Sequence, residues 1–437
     1  MPEMNGPDRE PEDRDKRQFI NEKIVKQPLT RKQIAGRAAF IGGLGAVFGV
    51  AAAAAFAFSS PIFQKMTGEP EETENFMVSI PRDDATVAAT ESPSAASEPS
   101  EPIEQQVEEA VSSYRFTLED YSRIQAPLKE MATEADKGIV TVHSVRHETD
   151  WFNNPVENTG YFSGAVIAET SSEYLILTTE EAVTDADAIR VTFSDGTEAA
   201  GTKKQEDQVS GLAVVSVRRI DVGESTAENM EILTLGNSYQ VKTGDMIVAV
   251  GSPVGMVHSV DYGSVNYVAR NVPVTDGSIR VMYADVGGNA PMGTFLMNMS
   301  EEIVGVVTDD FKNENTQNAT AAAGISDYKG IIERMSNGLS TAYLGIRGQE
   351  ITEEMEAQGL PAGIYITEVA AGSPAYEAGI QNGDILVRLN SGEVHTVKEL
   401  QSRVENLEAG STVTVIVARN GIDQYRELEY QITVGAR

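Results

Sequence analysis

The sequence predicts a mainly β protein built from antiparallel barrels, set behind an apolar N-terminal segment and an acidic spacer. Three observations carry this reading. From about residue 139, short alternating or β-rich runs are separated by turn signals, a pattern of antiparallel barrels rather than of a parallel α/β sheet. Residues 38–58 form a run of 21 residues without a charge. Between them, residues 67–113 are dominated by Glu, Pro, Ser, Ala and Thr.

Residues 1–37 are polar, with basic residues gathering at Lys16, Arg17, Lys23, Lys26, Arg31, Lys32 and Arg37. The following run, at 1.5 Å per residue, is long enough to cross a hydrocarbon core of about 30 Å. It reads as a single membrane span in contact with the lipid bilayer. Only Lys65 is basic close behind it, so the positive-inside bias places the N-terminus in the cytoplasm and everything past residue 60 outside. A cleaved signal peptide is the competing reading, with small residues at Ala55 and Ala57 and a faint twin-arginine likeness at Thr30-Arg31-Lys32. The long basic region and the length of the apolar run favour an uncleaved anchor.

The spacer, 59–113, lacks the apolar surface to offset its chain entropy and reads as a disordered acidic tether. The net charge of −32 argues against nucleic acid as a partner, since neutralising phosphates takes clustered Lys and Arg. With no cysteine there is no disulfide, thiolate or Cys-ligated metal, and His143, His147, His258 and His395 lack metal-ligand spacing. Neither metal nor cofactor is expected.

Leu118, Tyr121, Ile124, Leu128 and Met131 recur at helical spacing and predict a short amphipathic helix. Strands are expected at 139–145, 165–168, 175–178, 189–193, 212–217, 246–250, 278–283 and 303–307. A connecting helix is expected at 328–335, then a small-polar hinge at 336–341.

The strings YFSGAVI (161–167), YLILT (174–178), VTFSDGTE (191–198), GLAVVSV (211–217), LGNSYQVKTGDMIVAVGSPVG (235–255), GGNAPMGTFLMN (287–298) and YLGI (343–346) follow one another in an order that resembles the HtrA (Deg-type) family. Members are trypsin-fold serine proteases carrying a PDZ domain, and the match covers 114–437. The resemblance implies a double six-stranded β-barrel with a cleft between the barrels (114–338) and a PDZ domain (342–437). It also implies homo-oligomers, trimers or larger.

The triad positions depart from the family pattern. Counting from Thr178, the histidine position holds Glu181, the aspartate position holds Gly211, and the serine position, aligned from the preceding Gly-Asn, holds Ala290. Aligned backward from Asn298, the serine position is Met292 instead. Serine catalysis needs an oxygen nucleophile, a base that takes and returns its proton, and a group that orients the base. None of these residues supplies any of the three. The amides of Gly288 and Ala290 are the remnant of an oxyanion hole, with Pro291 restricting Ala290. Thr294 is the nearest replacement hydroxyl, His143, His147 and His258 are the candidate bases, and Asp285, Asp309 and Asp310 read as solvated loop residues.

In the PDZ region, SPAYEAGIQNGDILVRLNSGE (373–393) and the helical run 397–404 complete the likeness. The mode it implies is β-augmentation: a partner's C-terminal segment adds a strand beside Ile346, and the amides of the Tyr343-Leu344-Gly345-Ile346 turn receive its carboxylate. Leu400 and Val404, one helical turn apart, are either the apolar pocket wall or plain core. The leading expectation is a membrane-anchored, extracytoplasmic pseudoprotease that binds C-termini or unfolded segments of envelope proteins. An active serine-type endopeptidase in envelope quality control is the alternative. A scaffold whose output is the cytoplasmic basic segment is a third.

Overall fold

The computed structural model describes residues 77–84, 115, 117–149, 155–287, 290–312, 316, 318–421 and 424–437. All belong to the compact unit Phe76–Arg437. The expected tail (1–37), the expected span (38–58) and most of the spacer lie outside the described residues. Among those described, no helix is long and apolar enough to cross a membrane.

Helix α1 (Leu118–Asp136) is opened by a capping box in which Thr117 and Asp120 exchange side-chain and backbone hydrogen bonds. It is longer than expected, and its apolar stripe is only half used. Met131 is buried and Leu128 packs against the core, whereas Leu118, Tyr121 and Ile124 remain exposed.

The two six-stranded barrels are present. The first closes in the order β1 (Ile139–Thr149), β2 (Pro155–Glu169), β3 (Glu173–Thr179), β6 (Leu212–Arg218), β5 (Glu198–Asp207), β4 (Ala188–Thr192) and back to β1. In the second, β8 (Met246–Gly251), β9 (Ser259–Val274), β10 (Gly277–Ala284), β13 (Thr320–Gly324), β12 (Glu302–Val307) and β11 (Phe295–Met297) close through β11–β12 pairing. The short β7 (Thr234–Leu235) adds in parallel to β12.

Residues alternate across each strand, so β3 sends Tyr174 and Ile176 into the first barrel while Leu175 and Leu177 join a second core between the barrels. β8 divides its residues the same way, Ile247 and Ala249 inward and Val248 and Val250 outward. Helix α2 (Ile325–Ser336), three residues longer at its start than expected, seals that shared core with Ile325, Ile331, Ile332 and Met335.

Residues 77–84, inside the region expected to be a free tether, lie against α2. Val78 and Ile80 pack on the shared core. Val78 N–H donates to Asn337 Oδ1 at 2.9 Å, and Asn337 Nδ2 donates back to Val78 O at 2.8 Å. Asp83 accepts from Ser326 Oγ at 2.6 Å and pairs with the buried Lys329 Nζ at 2.9 Å.

The PDZ domain is a sheet of β15 (Ile346–Glu350), β16 (Ile364–Val369), β17 (Ile385–Leu389), β19 (Thr412–Asn420) and β20 (Tyr425–Thr433), packed on helix α3 (Val397–Glu405); the short β18 (Gly392–Glu393) pairs with β17, and β14 (Ala342–Tyr343) pairs with β21 (Gly435–Ala436). A capping box at Thr396 and Glu399 starts α3. Gly379 and Gly383 adopt the positive φ their turns require.

Candidate functional site: a filled cleft and an occupied carboxylate loop

The three triad positions lie on elements that meet. Glu181 sits, exposed, on a single 3-10 turn (Glu180–Ala182) directly after β3. The N–H of Glu180 donates to Gly211 O at 2.8 Å, joining that turn to the aspartate position. Gly211 has φ +68°, and a Cβ there would lie 2.6 Å from Met292 Cε and 3.3 Å from its Sδ. The Met292 thioether therefore fills the space in front of Gly211 in which an orienting carboxylate would stand.

Ala290 is directed elsewhere. Its side chain is buried with Val286, Leu296 and Val304 in the interior of the second barrel. Its N–H donates to Gly287 O at 2.6 Å and is spent inside the loop. Gly288, the other expected oxyanion donor, lies outside the described residues. Of the oxyanion-hole remnant expected at Gly288 and Ala290, the Ala290 amide is thus spent, because a tight turn at Gly287 takes the donor. That turn is clamped by Asp261 Oδ2, which accepts from Gly287 N–H at 2.6 Å, and by Thr320 Oγ1, which donates to Val286 O and Gly287 O at 2.5 and 2.9 Å. Of the two registers left open by the sequence, it is Met292 that reaches the cleft.

The replacement groups are not gathered there. Thr294 is fully buried and its Oγ1 has no hydrogen-bond partner among the described residues. His143 Nε2 bonds Thr192 Oγ1 at 2.8 Å and its ring meets Tyr161 edge-on, with burial pulling its pKa below the ordinary histidine value. His147 pairs with Asp187 at 3.3 Å and His258 with Asp136 at 2.9 Å. Asp285 accepts from the N–H and Oγ of Ser264, and Asp309 pairs with Lys312. Beside the cleft, Thr184 Oγ1 lies 3.5 Å from Glu180 and 3.3 Å from Glu206. Burial and then the charge of Glu206 raise the pKa of Glu180. Among the described residues no group of three His, Cys, Asp or Glu side chains is placed to hold a metal ion.

The amides of the Tyr343-Leu344-Gly345-Ile346 turn meet a side chain of the same chain. Gly345 has φ +87°, and a Cβ on it would collide with Ser373. This bend turns three successive amides the same way, and all three meet the side chain of Asp276, from the β9–β10 hairpin. Leu344 N–H donates to Oδ2 at 2.8 Å, Gly345 N–H to both oxygens at 3.0 and 3.1 Å, and Ile346 N–H to Oδ1 at 2.9 Å. Asp276 N–H donates in turn to Ile346 O at 2.6 Å. Asp276 is buried, which raises its pKa, while Arg437 and the three amides act in the opposite direction.

Tyr343 sits half-buried at the start of the turn. Leu400 and Val404 are 1% and 2% exposed and belong to the PDZ core, and Val404 also lines a small cavity facing the hairpin. Sequence reasoning missed Asp276. Its only local signal is the Thr-Asp-Gly turn between two β runs, which marks a hairpin and says nothing of where the carboxylate goes.

Residues 162–306 match the family described as trypsin-like peptidase domain, and residues 342–429 match the PDZ domain family. Among curated proteins the chain is 27% identical over 339 residues to the serine protease Do-like HtrA of Bacillus subtilis, covering 72% of this chain and 74% of that protein. The chain belongs to the HtrA family. It is also 29% identical to the putative serine protease HhoB of Synechocystis and 30% identical to a probable periplasmic serine endoprotease DegP-like of Pseudomonas putida. It spans 62% and 55% of the lengths of those two, and the matches cover 57% and 63% of this chain. In fold it is similar to the HtrA-type protease AlgW with decapeptide, at a TM-score of 0.51 and 20% identity over 71% of this chain and 98% of that one. Against this HtrA background, the filled cleft is the feature that needs a functional account.

Proposed function

We propose that this HtrA-family chain is a membrane-anchored, extracytoplasmic protein without serine-protease catalysis, whose PDZ domain binds C-termini or unfolded segments of envelope proteins. The observation that carries the reading is Met292 packed over Gly211, with Glu181 at the histidine position. Acyl transfer needs a nucleophilic oxygen and a base within hydrogen-bond reach of each other. Here a thioether stands between the loop and the second triad position, and the Ala290 amide is committed to Gly287. Glu181 stands exposed on its turn, where the family pattern has an imidazole to take and return the proton. The anchor rests on the charge-free run 38–58 and the basic residues before it. The extracytoplasmic placement agrees with relatives named as periplasmic.

The test is to incubate the full chain with unfolded casein and with a fluorophosphonate probe. Neither cleavage nor labelling is expected. Reproducible cleavage or labelling abolished by Thr294→Ala would overturn the proposal.

A further inference from the structure

The carboxylate-receiving loop of the PDZ domain is filled from within the chain, and the filling reproduces the two main-chain features of a bound C-terminus. A C-terminal residue offers a carboxylate to the loop amides and its own N–H to the first strand of the groove. Asp276 does both: its side-chain carboxylate takes the amides of Leu344, Gly345 and Ile346, and its N–H donates to Ile346 O. The backbone makes this fit possible. Asp276 has φ +60° at the tip of a tight hairpin, where Val274 pairs with Gly277, so its side chain leaves the end of the turn as a terminal carboxylate leaves the end of a chain.

The hairpin is gripped from the other side of the groove as well. Ser278 N–H donates to Gln401 Oε1 on α3 at 3.2 Å, and a Cβ on Gly277 would lie 2.8 Å from that same oxygen. Arg437 completes the clasp: its Nη1 donates to Thr275 O at 3.4 Å, and its Nε lies 3.1 Å from Asp207 of the first barrel.

We infer that Asp276 is an internal ligand of the PDZ domain, which holds the groove closed against any other carboxylate. A partner bearing a free α-carboxylate reaches the loop only by displacing the hairpin tip. The partner half of this inference rests on the proposed reading of the PDZ domain as a binder of C-termini; the internal-ligand half does not. The bonds that close the groove are interchangeable with those a C-terminus offers, so the hairpin and the partner compete for one set of donors. An apparent affinity is reduced by the fraction of molecules in the competent state, so a groove closed in 90–99% of molecules weakens binding by about 10- to 100-fold.

Two measurements on the full chain test this. In hydrogen exchange, the amides of residues 344–346 are expected to exchange at least about 10-fold faster in Asp276→Ala than in the unaltered chain, with the amides of β17 and β19 unchanged as the check on folding. In titration with decapeptides randomised over their last four residues, Asp276→Ala is expected to bind about 10- to 100-fold more tightly than the unaltered chain. Gln401→Ala, which loosens the grip from α3 alone, shifts affinity the same way by less. Amidated decapeptides are not expected to bind.

If Asp276→Ala disturbs β17 and β19, Asp276→Asn carries the test, because it keeps the shape and one acceptor while removing the charge. Unchanged protection at 344–346, or equal peptide affinity with and without Asp276, overturns the inference. Protection lost with no peptide bound by any form upholds Asp276 as internal ligand and overturns the reading of the domain as a C-terminus binder.

Discussion

The Met292–Gly211 contact makes a quantitative prediction through Gly211→Ala. The new methyl meets two costs. Gly211 has φ +68°, and a left-handed conformation costs an L-residue about 1–2 kcal/mol. The methyl would also stand 2.6 Å from Met292 Cε, so the thioether must leave its rotamer, at about 0.5–1.5 kcal/mol. Against these, replacing glycine lowers the entropy of the unfolded chain, which returns about 0.4–1 kcal/mol. The net loss is about 0.5–3 kcal/mol, centred near 2, with roughly half of it due to Met292. A cycle with Met292→Ala isolates that half: Gly211→Ala made in the Met292→Ala background should be less destabilising by about 0.5–1.5 kcal/mol. Because the chain has more than one domain, the reading should come from hydrogen exchange of β3 and β6 amides rather than from a single global transition. Were the two substitutions to add within about 0.3 kcal/mol, Met292 would not be what fills the space before Gly211.

Three further outcomes are expected. Restoring the triad residues together, as Glu181→His, Gly211→Asp and Ala290→Ser, should yield no casein cleavage, because position 290 faces the second-barrel core and its amide is spent on Gly287; cleavage by that variant would refute this placement. Lys329→Ala leaves Asp83 without its buried partner and should cost about 3–5 kcal/mol, whereas Asp83→Asn should chiefly free residues 77–84, visible as faster exchange and proteolytic nicking there. His143, whose pKa burial lowers, should titrate by NMR below 6.5. Its contribution to stability is then complete above its unfolded pKa of about 6.5 and is lost as the pH falls from there through the folded value. Glu198→Gln should lower the midpoint further, since Glu198 pulls the other way. A midpoint above 6.5 would contradict the burial.

What was legible in the sequence follows from how the barrels bury their strands. β3, β6 and β8 are covered on both faces, so they read as continuous apolar runs and were found close to their true ends. β5 carries Lys203-Lys204-Gln205-Glu206-Asp207 and was missed, since closure between β4 and β6, with a bulge between Lys203 and Gln205, gives it the partners its residue types do not advertise. β9 was missed for a similar reason, having many half-buried and exposed polar residues along its length. The residues at the expected triad positions could be read because those positions are counted from strands that could be located. The loop register was not, because choosing between Ala290 and Met292 requires knowing that Gly287 turns back on the Ala290 amide. Residues 77–84 were hidden within an acidic, proline-rich composition, and only the alternation of Val78 and Ile80 hinted at a packed face.

The two sites reached by the sequence are both filled by the chain's own side chains, and the two fillings differ in kind. Met292 closes the cleft by packing against a residue with no side chain, next to a loop whose backbone donor is consumed internally. On the proposed reading the cleft holds no catalytic group to uncover, so opening it would only expose apolar surface. Asp276 closes the PDZ loop with hydrogen bonds of a kind that another carboxylate can also make. An exchange of like for like costs little beyond moving a hairpin tip held by Gln401 and Arg437. On the proposed reading, then, the PDZ loop is the site poised to respond to a partner, and the strength of the hairpin's grip sets how much partner is needed to open it.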